Sequence, residues 1–235
     1  MLPPELRRDE KNSMRASPQF WQGLWRRWRG KAPQGKIFII GFHKTGTSSY
    51  GRALQRLGCR VASRLREGQD YQPAEDGALP TFLAQRAQSV LEEFDAFQDT
   101  PWFLMYEEIF ERYPDSSFIL TLRDEKAWLK SVQRHFAKKF FPYHEAIYGS
   151  LDSFENAESY LRCYRAHNEA VRTFFKGRGH LLEVDLKESD WKTLANFLKV
   201  PCPSGDFPHA NQGDDRGLWV SKLRDQLKQL YYGRG

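Results

Sequence analysis

Cysteine is scarce in this chain: three residues in 235 positions, Cys59, Cys163 and Cys202, an odd and scattered set with no C-x-x-C pair and no histidines at ligand spacing. A disulfide-stapled scaffold and a zinc module are thereby excluded, and the thiols are expected to stay reduced, as in a cytoplasmic protein. Long apolar runs are missing too. None approaches the roughly 20 residues of a membrane-spanning helix, and Arg7, Arg8, Asp9, Glu10 and Lys11 interrupt the stretch where a secretory signal would begin. No carboxylate or histidine spacing demands a metal, and there is no internal repeat. Charge of one sign does not dominate: 36 Lys plus Arg stand against 30 Asp plus Glu, a formal net charge of +6. That excess suits a polyanionic ligand without choosing among a nucleotide, a nucleic acid and an acidic glycan.

What is present is a phosphate-type loop within residues 36–57, KIFIIGFHKTGTSSYGRALQRL. Residues 37–40 are apolar and mostly β-branched, suited to a central parallel strand, and residues 47–57 carry a helical pattern. The segment between is a strand-to-helix turn. Gly41 and Gly46 permit close backbone approach, and the following helix aims free N–H groups and its positive end at whatever sits there. A nucleotide triphosphatase loop has lysine directly after its second glycine. Here Thr47 takes that place, Ser48 follows it, and the lysine has moved forward to Lys44 in Gly41-Phe42-His43-Lys44-Thr45-Gly46.

A second motif begins with the β-prone run SFILTL at residues 117–122, which ends in Arg123-Asp124 ahead of a helical pattern over 125–138. Arg123 is expected at the carboxyl end of a strand and Ser131 two turns into the next helix, a pair able to grip a second phosphate. Between the two motifs, FDAFQD at 94–99 reads as a short strand delivering Asp99 to the same sheet edge. Two roles fit Asp99: a carboxylate taking a proton from an acceptor hydroxyl, or a helix cap ahead of Thr100-Pro101. His43 inside the loop fits either ligand contact or a hydrogen bond to backbone. His135 reads as an exposed helix histidine, Glu67 as solvated, and His167 as structural.

The H-K-T-G-T-S loop, the Arg123/Ser131 pair, the D-x-P-x-x-x-x-x-E-E and R-D-x-x-x-W-x-x-S blocks within 94–131, and Phe207-Pro208-His209-Ala210-Asn211 together resemble a branch of the P-loop sulfotransferases, over most of residues 36–211. The resemblance implies a sulfuryl transfer from 3′-phosphoadenylyl sulfate (PAPS) to a hydroxyl or amine by in-line displacement, with 3′,5′-adenosine bisphosphate as product and no metal. It further implies that Lys44 neutralises charge on the departing oxygen, that Thr45, Gly46, Thr47 and Ser48 hold the 5′-phosphate, and that Arg123 and Ser131 hold the 3′-phosphate. Well-studied cytosolic members place a catalytic histidine where this chain has Asp99, so Asp99 is the expected base and His43 its rival. A nucleotide-dependent kinase or triphosphatase, and a non-catalytic nucleotide- or nucleic-acid-binding protein, remain the alternative readings.

The remaining pattern alternates strand and helix, so the expected fold is α/β: a P-loop-like, three-layer domain with a central, mostly parallel sheet of about five strands and helices on both faces. Residues 1–35 form a basic, aromatic arm whose Trp21, Leu24, Trp25 and Trp28 recur at helical spacing, as in a short helix packed on the domain. Residues 36–215 form the domain, and 216–235 an amphipathic helix docking on it or on a second copy. Residues 63–77 read as a mobile loop able to gate an acceptor, and 140–149 as an irregular aromatic segment lining an acceptor pocket or the core. The acceptor itself, a small molecule or a glycan, is not readable, and nucleic acid is not expected as a partner.

Overall fold

The structure is a computed structural model, and it describes residues 25–62, 79–136 and 141–209. Its centre is a five-stranded parallel sheet built from β1 (Ile37–Ile39), β2 (Val61–Ala62), β3 (Ala96–Phe97), β4 (Ser117–Leu122) and β5 (Leu181–Asp185), in the order β2-β3-β1-β4-β5. Register is clear at the core: Phe38 faces Phe97 on one side and Phe118 on the other, and Leu120 lies opposite Glu183. The expected strands thus form, and the sheet is parallel throughout.

Side chains alternate across the sheet, and each set is buried by different helices. Ile37, Ile39 and Ile119 pack against α1 (Thr47–Arg56) and, through Trp191 and Leu194, α7 (Trp191–Phe197). Phe38, Ile40, Phe118 and Leu120 face the larger layer, made by α2 (Leu79–Glu93), α3 (Tyr106–Arg112), α4 (Glu125–Phe136), α5 (Pro142–Tyr148) and α6 (Ala157–Phe175). Aromatic rings fill that layer, with Phe38 stacked on Phe97 at 4.6 Å and Trp128 on Tyr164 at 4.4 Å. The result is a three-layer α/β domain with helices on both faces.

Four local readings change. Residues 101–113, which read from the apolar spacing of Phe103, Tyr106, Ile109 and Phe110 after Pro101 as one helix, divide into a 3-10 turn, Trp102–Leu104, and α3, because Met105 leaves helical torsions while Trp102 and Phe103 turn into the core. The described part of the 140–149 stretch is not irregular: Pro142 opens α5 and Gly149 closes it at φ 70, so the two apparent breakers are its boundaries. Helix α6, which reads from its amphipathic pattern as running from Ser153 to Lys176, starts at Ala157, since Asp152 accepts from the Phe154 and Glu155 amides (2.7 and 3.2 Å) and holds a turn there. In the described part of the arm, residues 25–28 are helical, but Trp25 and Trp28 are 48% and 81% exposed. Arg26 packs instead, only 9% exposed, with its guanidinium donating to Pro201 O at 2.5 Å. Arg27 pairs with Asp95, and Arg29 stacks over Trp25 at 4.3 Å. The rest of the arm, the expected loop at 63–77 and the expected amphipathic helix at 216–235 lie outside the described residues.

Candidate active site

The chain leaves β1 for β2 and β3 on one side of the sheet and crosses to β4 and β5 on the other. The switch in direction falls at β1, and the carboxyl ends of β1, β3 and β4 therefore face one crevice. The loop at residues 40–46, Asp99 and Arg123 issue from those three ends.

Two glycines shape the loop. Gly41 lies so close to Thr121 that a Cβ would run into its backbone and hydroxyl, and Gly46 sits at φ 104, a left-handed torsion that suits glycine, against the Leu186 side chain. Thr45 is fully buried and staples the loop: its hydroxyl donates to Phe42 O at 2.5 Å and accepts from Thr121 Oγ1 at 2.6 Å, its single proton being committed to the carbonyl. Lys44 lies between these constraints, half-buried, at φ 72. Gly46 is the N-cap of α1 and supplies no side-chain cap, so the first-turn amides at Thr47 and Ser48 are left for an anion, with the helix dipole favouring it.

Arg123 reaches this loop from β4, its guanidinium donating to Lys44 O at 3.2 Å. Its own peptide is gripped from α6, where the Tyr164 hydroxyl accepts from Arg123 N at 3.0 Å and donates to Arg123 O at 2.9 Å. Asp124 caps α4 through the Ala127 amide at 2.9 Å. Ser131 lies two turns along α4 and is 5% exposed. On the other side of the loop, Thr47 Oγ1 donates to Asp99 Oδ1 at 2.6 Å, and Asp99 itself sits at φ 66. The helix-cap reading of Asp99 is replaced: the Trp102 amide bonds the Asp99 main-chain oxygen at 3.1 Å, and the carboxylate turns to Thr47 instead.

The histidines sort by environment. His43 is 7% exposed, with its ring turned into the aromatic layer and Nε2 hydrogen-bonded to the Tyr148 hydroxyl at 2.6 Å. Its main-chain oxygen accepts from Trp128 Nε1 at 3.0 Å. Burial first, then His144 and Lys44, hold its pKa well below the ordinary value, so the ring is neutral. Beside it, burial and then His135 push His144 down to about 4. His167 donates to Ile40 O at 2.8 Å and stacks on Phe42 at 4.6 Å; burial lowers it to about 4, and its role is structural, as expected. His135 is exposed on α4. Glu67 and Asn211 lie outside the described residues, while Phe207 packs on Tyr50 and Trp191 at 5.1 Å each.

Of the residues singled out in the sequence, Lys44, Thr45, Gly46, Thr47, Ser48, Asp99 and Arg123 lie on the loop or are bonded to it, and Ser131 is placed only as a buried residue of α4; the groups that fix them, Tyr148, Tyr164 and Thr121, were missed. Trp128 had a signal, its place in the R-D-x-x-x-W-x-x-S block. Tyrosines on α5 and α6 have none, because they act from 105 and 41 positions away in the chain. Among the described residues no cluster of His, Cys, Asp or Glu could hold a metal, and no helix is long and apolar enough to cross a membrane.

Comparison with known proteins gives this geometry a family. The model of the family described as Sulfotransferase domain matches residues 36–157 and 136–216. The chain belongs to that sulfotransferase family. It is 27% identical over 214 residues to Ava biosynthesis cluster protein M of Aspergillus versicolor, covering 76% of this chain and 82% of that one. A sulfotransferase crystal structure from Alicyclobacillus acidocaldarius overlaps 85% of this chain and 92% of its own, at 15% identity and a TM-score of 0.49.

Proposed function

We propose that this sulfotransferase takes its sulfuryl group from PAPS and passes it to a hydroxyl or amine of a small molecule or glycan, releasing 3′,5′-adenosine bisphosphate. One observation carries the reading: the uncapped start of α1 and the Arg123 guanidinium meet on one loop, giving two anion-binding places at adjoining strand ends. The loop amides with Thr47 and Ser48 fit a 5′-phosphate, and Arg123 with Ser131 fits a 3′-phosphate. A kinase loop would instead carry its lysine after Gly46, where Thr47 stands.

The donor supplies sulfur bonded to a phosphate oxygen that leaves readily. An acceptor oxygen or nitrogen forms its bond to sulfur as the sulfur–oxygen bond to phosphate breaks in line. The proton released by the acceptor goes to Asp99, and Lys44 balances the negative charge growing on the departing oxygen. Asp99 is oriented for this by Thr47, the same residue that borders the phosphate place. The catalytic unit is residues 36–215, with no metal, and the free cysteines suit a reducing, cytoplasmic setting.

The test uses sulfur-labelled PAPS with panels of phenols, alcohols and amines, each with and without EDTA. Label is expected to pass to at least one acceptor, unaffected by EDTA. Transfer that stops with EDTA, or ATP serving as the donor of a phosphoryl group in its place, overturns the reading.

A further inference from the structure

Lys44 is the residue on which the proposed chemistry turns, and it holds a left-handed torsion that lysine does not prefer, φ 72. The residue before it is restrained from two directions. The His43 main-chain oxygen accepts from Trp128 Nε1 on α4 at 3.0 Å, and its ring is hydrogen-bonded at 2.6 Å to the Tyr148 hydroxyl on α5. Both partners are themselves fully buried. Tyr148 is fixed further by stacking on Tyr160 at 4.0 Å, interplanar angle 15°, while the Tyr160 hydroxyl donates to Ser150 O at 3.0 Å just beyond α5. On the other side of Lys44, Arg123 holds its carbonyl at 3.2 Å. Among the described residues the Tyr148 phenol bonds a neutral ring of the phosphate loop. Such a phenol has no evident purpose in packing α5, since phenylalanine would fill the same space.

We propose that Tyr148 is a positioning residue for Lys44: its hydrogen bond to His43, together with that from Trp128, locks the loop so that the lysine ammonium is held toward the sulfuryl group of the donor. Tyr148 touches neither donor nor acceptor in this arrangement and acts through His43. The assignment of the lysine's partner rests on the PAPS reading above, whereas the loop restraint does not.

Two measurements on wild type, Tyr148→Phe, Lys44→Met and the double variant test this. Amide hydrogen exchange reads the restraint itself: the Thr45 amide, which bonds Phe42 O at 3.3 Å, is expected to exchange at least tenfold faster in Tyr148→Phe, with the amides of β4 unchanged. Calorimetric binding reads the consequence. Tyr148→Phe is expected to weaken PAPS five- to tenfold more than it weakens 3′,5′-adenosine bisphosphate, and to have less than a twofold effect in the Lys44→Met background, where the residue it positions is gone. Unchanged exchange at Thr45 overturns the proposal. So does a loss of PAPS affinity that is undiminished in the double variant, which would mark Tyr148 as a general packing residue. If wild type binds neither nucleotide while Tyr148→Phe still loosens the loop, the donor reading fails and the restraint stands.

Discussion

Thr47 and Asp99 share one proton between a phosphate place and a proposed base, and that short bond sets the most informative substitution at the residue scale. Asp99→Asn keeps the size and one acceptor oxygen while removing the capacity to take a proton. Turnover is expected to fall by about 10² to 10⁴, the usual contribution of a general base, with bisphosphate affinity kept within about threefold. Full activity in Asp99→Asn would move the base elsewhere, and the buried pair His43–Tyr148 would be the next place to look. Neutral histidine in the loop was legible as a residue and illegible as an environment: nothing in H-K-T-G-T-S says that the His43 ring turns inward, because that is decided by Tyr148 and Trp128, distant in the chain.

The elements that present the site owe their accuracy to long-range clamps. Strand β4 ends just before Arg123, and α6 reaches across to hold that residue by both its N–H and its carbonyl through one phenol. Tyr164→Phe removes both bonds and leaves the stack on Trp128. Nucleotide affinity is expected to drop three- to tenfold in calorimetry, with the denaturation midpoint shifting by the equivalent of about 1–2 kcal/mol for a buried polar pair lost; unaltered affinity would show that Arg123 positions itself. Elements with a strong period are legible in the residues alone: β1, β4 and α1 fall where alternation, β-branching and the glycine stop put them. Those that differ were decided by tertiary burial. Trp102 and Phe103 are pulled into the aromatic layer at the expense of a continuous helix, and α5 looked irregular only because Pro142 and Gly149 bound a helix of seven residues. Over residues 25–28 it is Arg26, and neither Trp25 nor Trp28, that packs, since it finds a carbonyl at Pro201 to bond.

Over the whole molecule, the sheet splits the apolar residues into two layers, and the larger one encloses His144 and His167, both held near 4 mainly by burial. The unfolded chain takes up protons at these rings below about 6.5 while the folded protein does not, so their contribution to stability is expected to fall as pH drops from 6.5 toward 4, and the buried, neutral His43 ring adds to the loss and extends it to lower pH. By pH 5 the two rings cost about 2 kcal/mol each, readable as a lower urea midpoint than at pH 7.5; equal midpoints would contradict the buried, neutral assignment. The carboxyl of Asp95 lies outside this window: burial pushes it up, but Arg60 and Arg27 hold it below its ordinary value, so its contribution is lost only at still lower pH. Fold class and the family were both legible in the order of motifs along the chain, whereas the acceptor was not, because the stretches read as lining it carry no motif that names a ligand. The most direct test of the account is calorimetric titration with 3′,5′-adenosine bisphosphate, ATP and AMP, for wild type and Arg123→Ala. The account predicts selective binding of the bisphosphate by wild type and at least a tenfold loss in the variant, as for a charged hydrogen-bonding partner removed. ATP bound as tightly as the bisphosphate, or an Arg123→Ala protein that binds as wild type does, would contradict it.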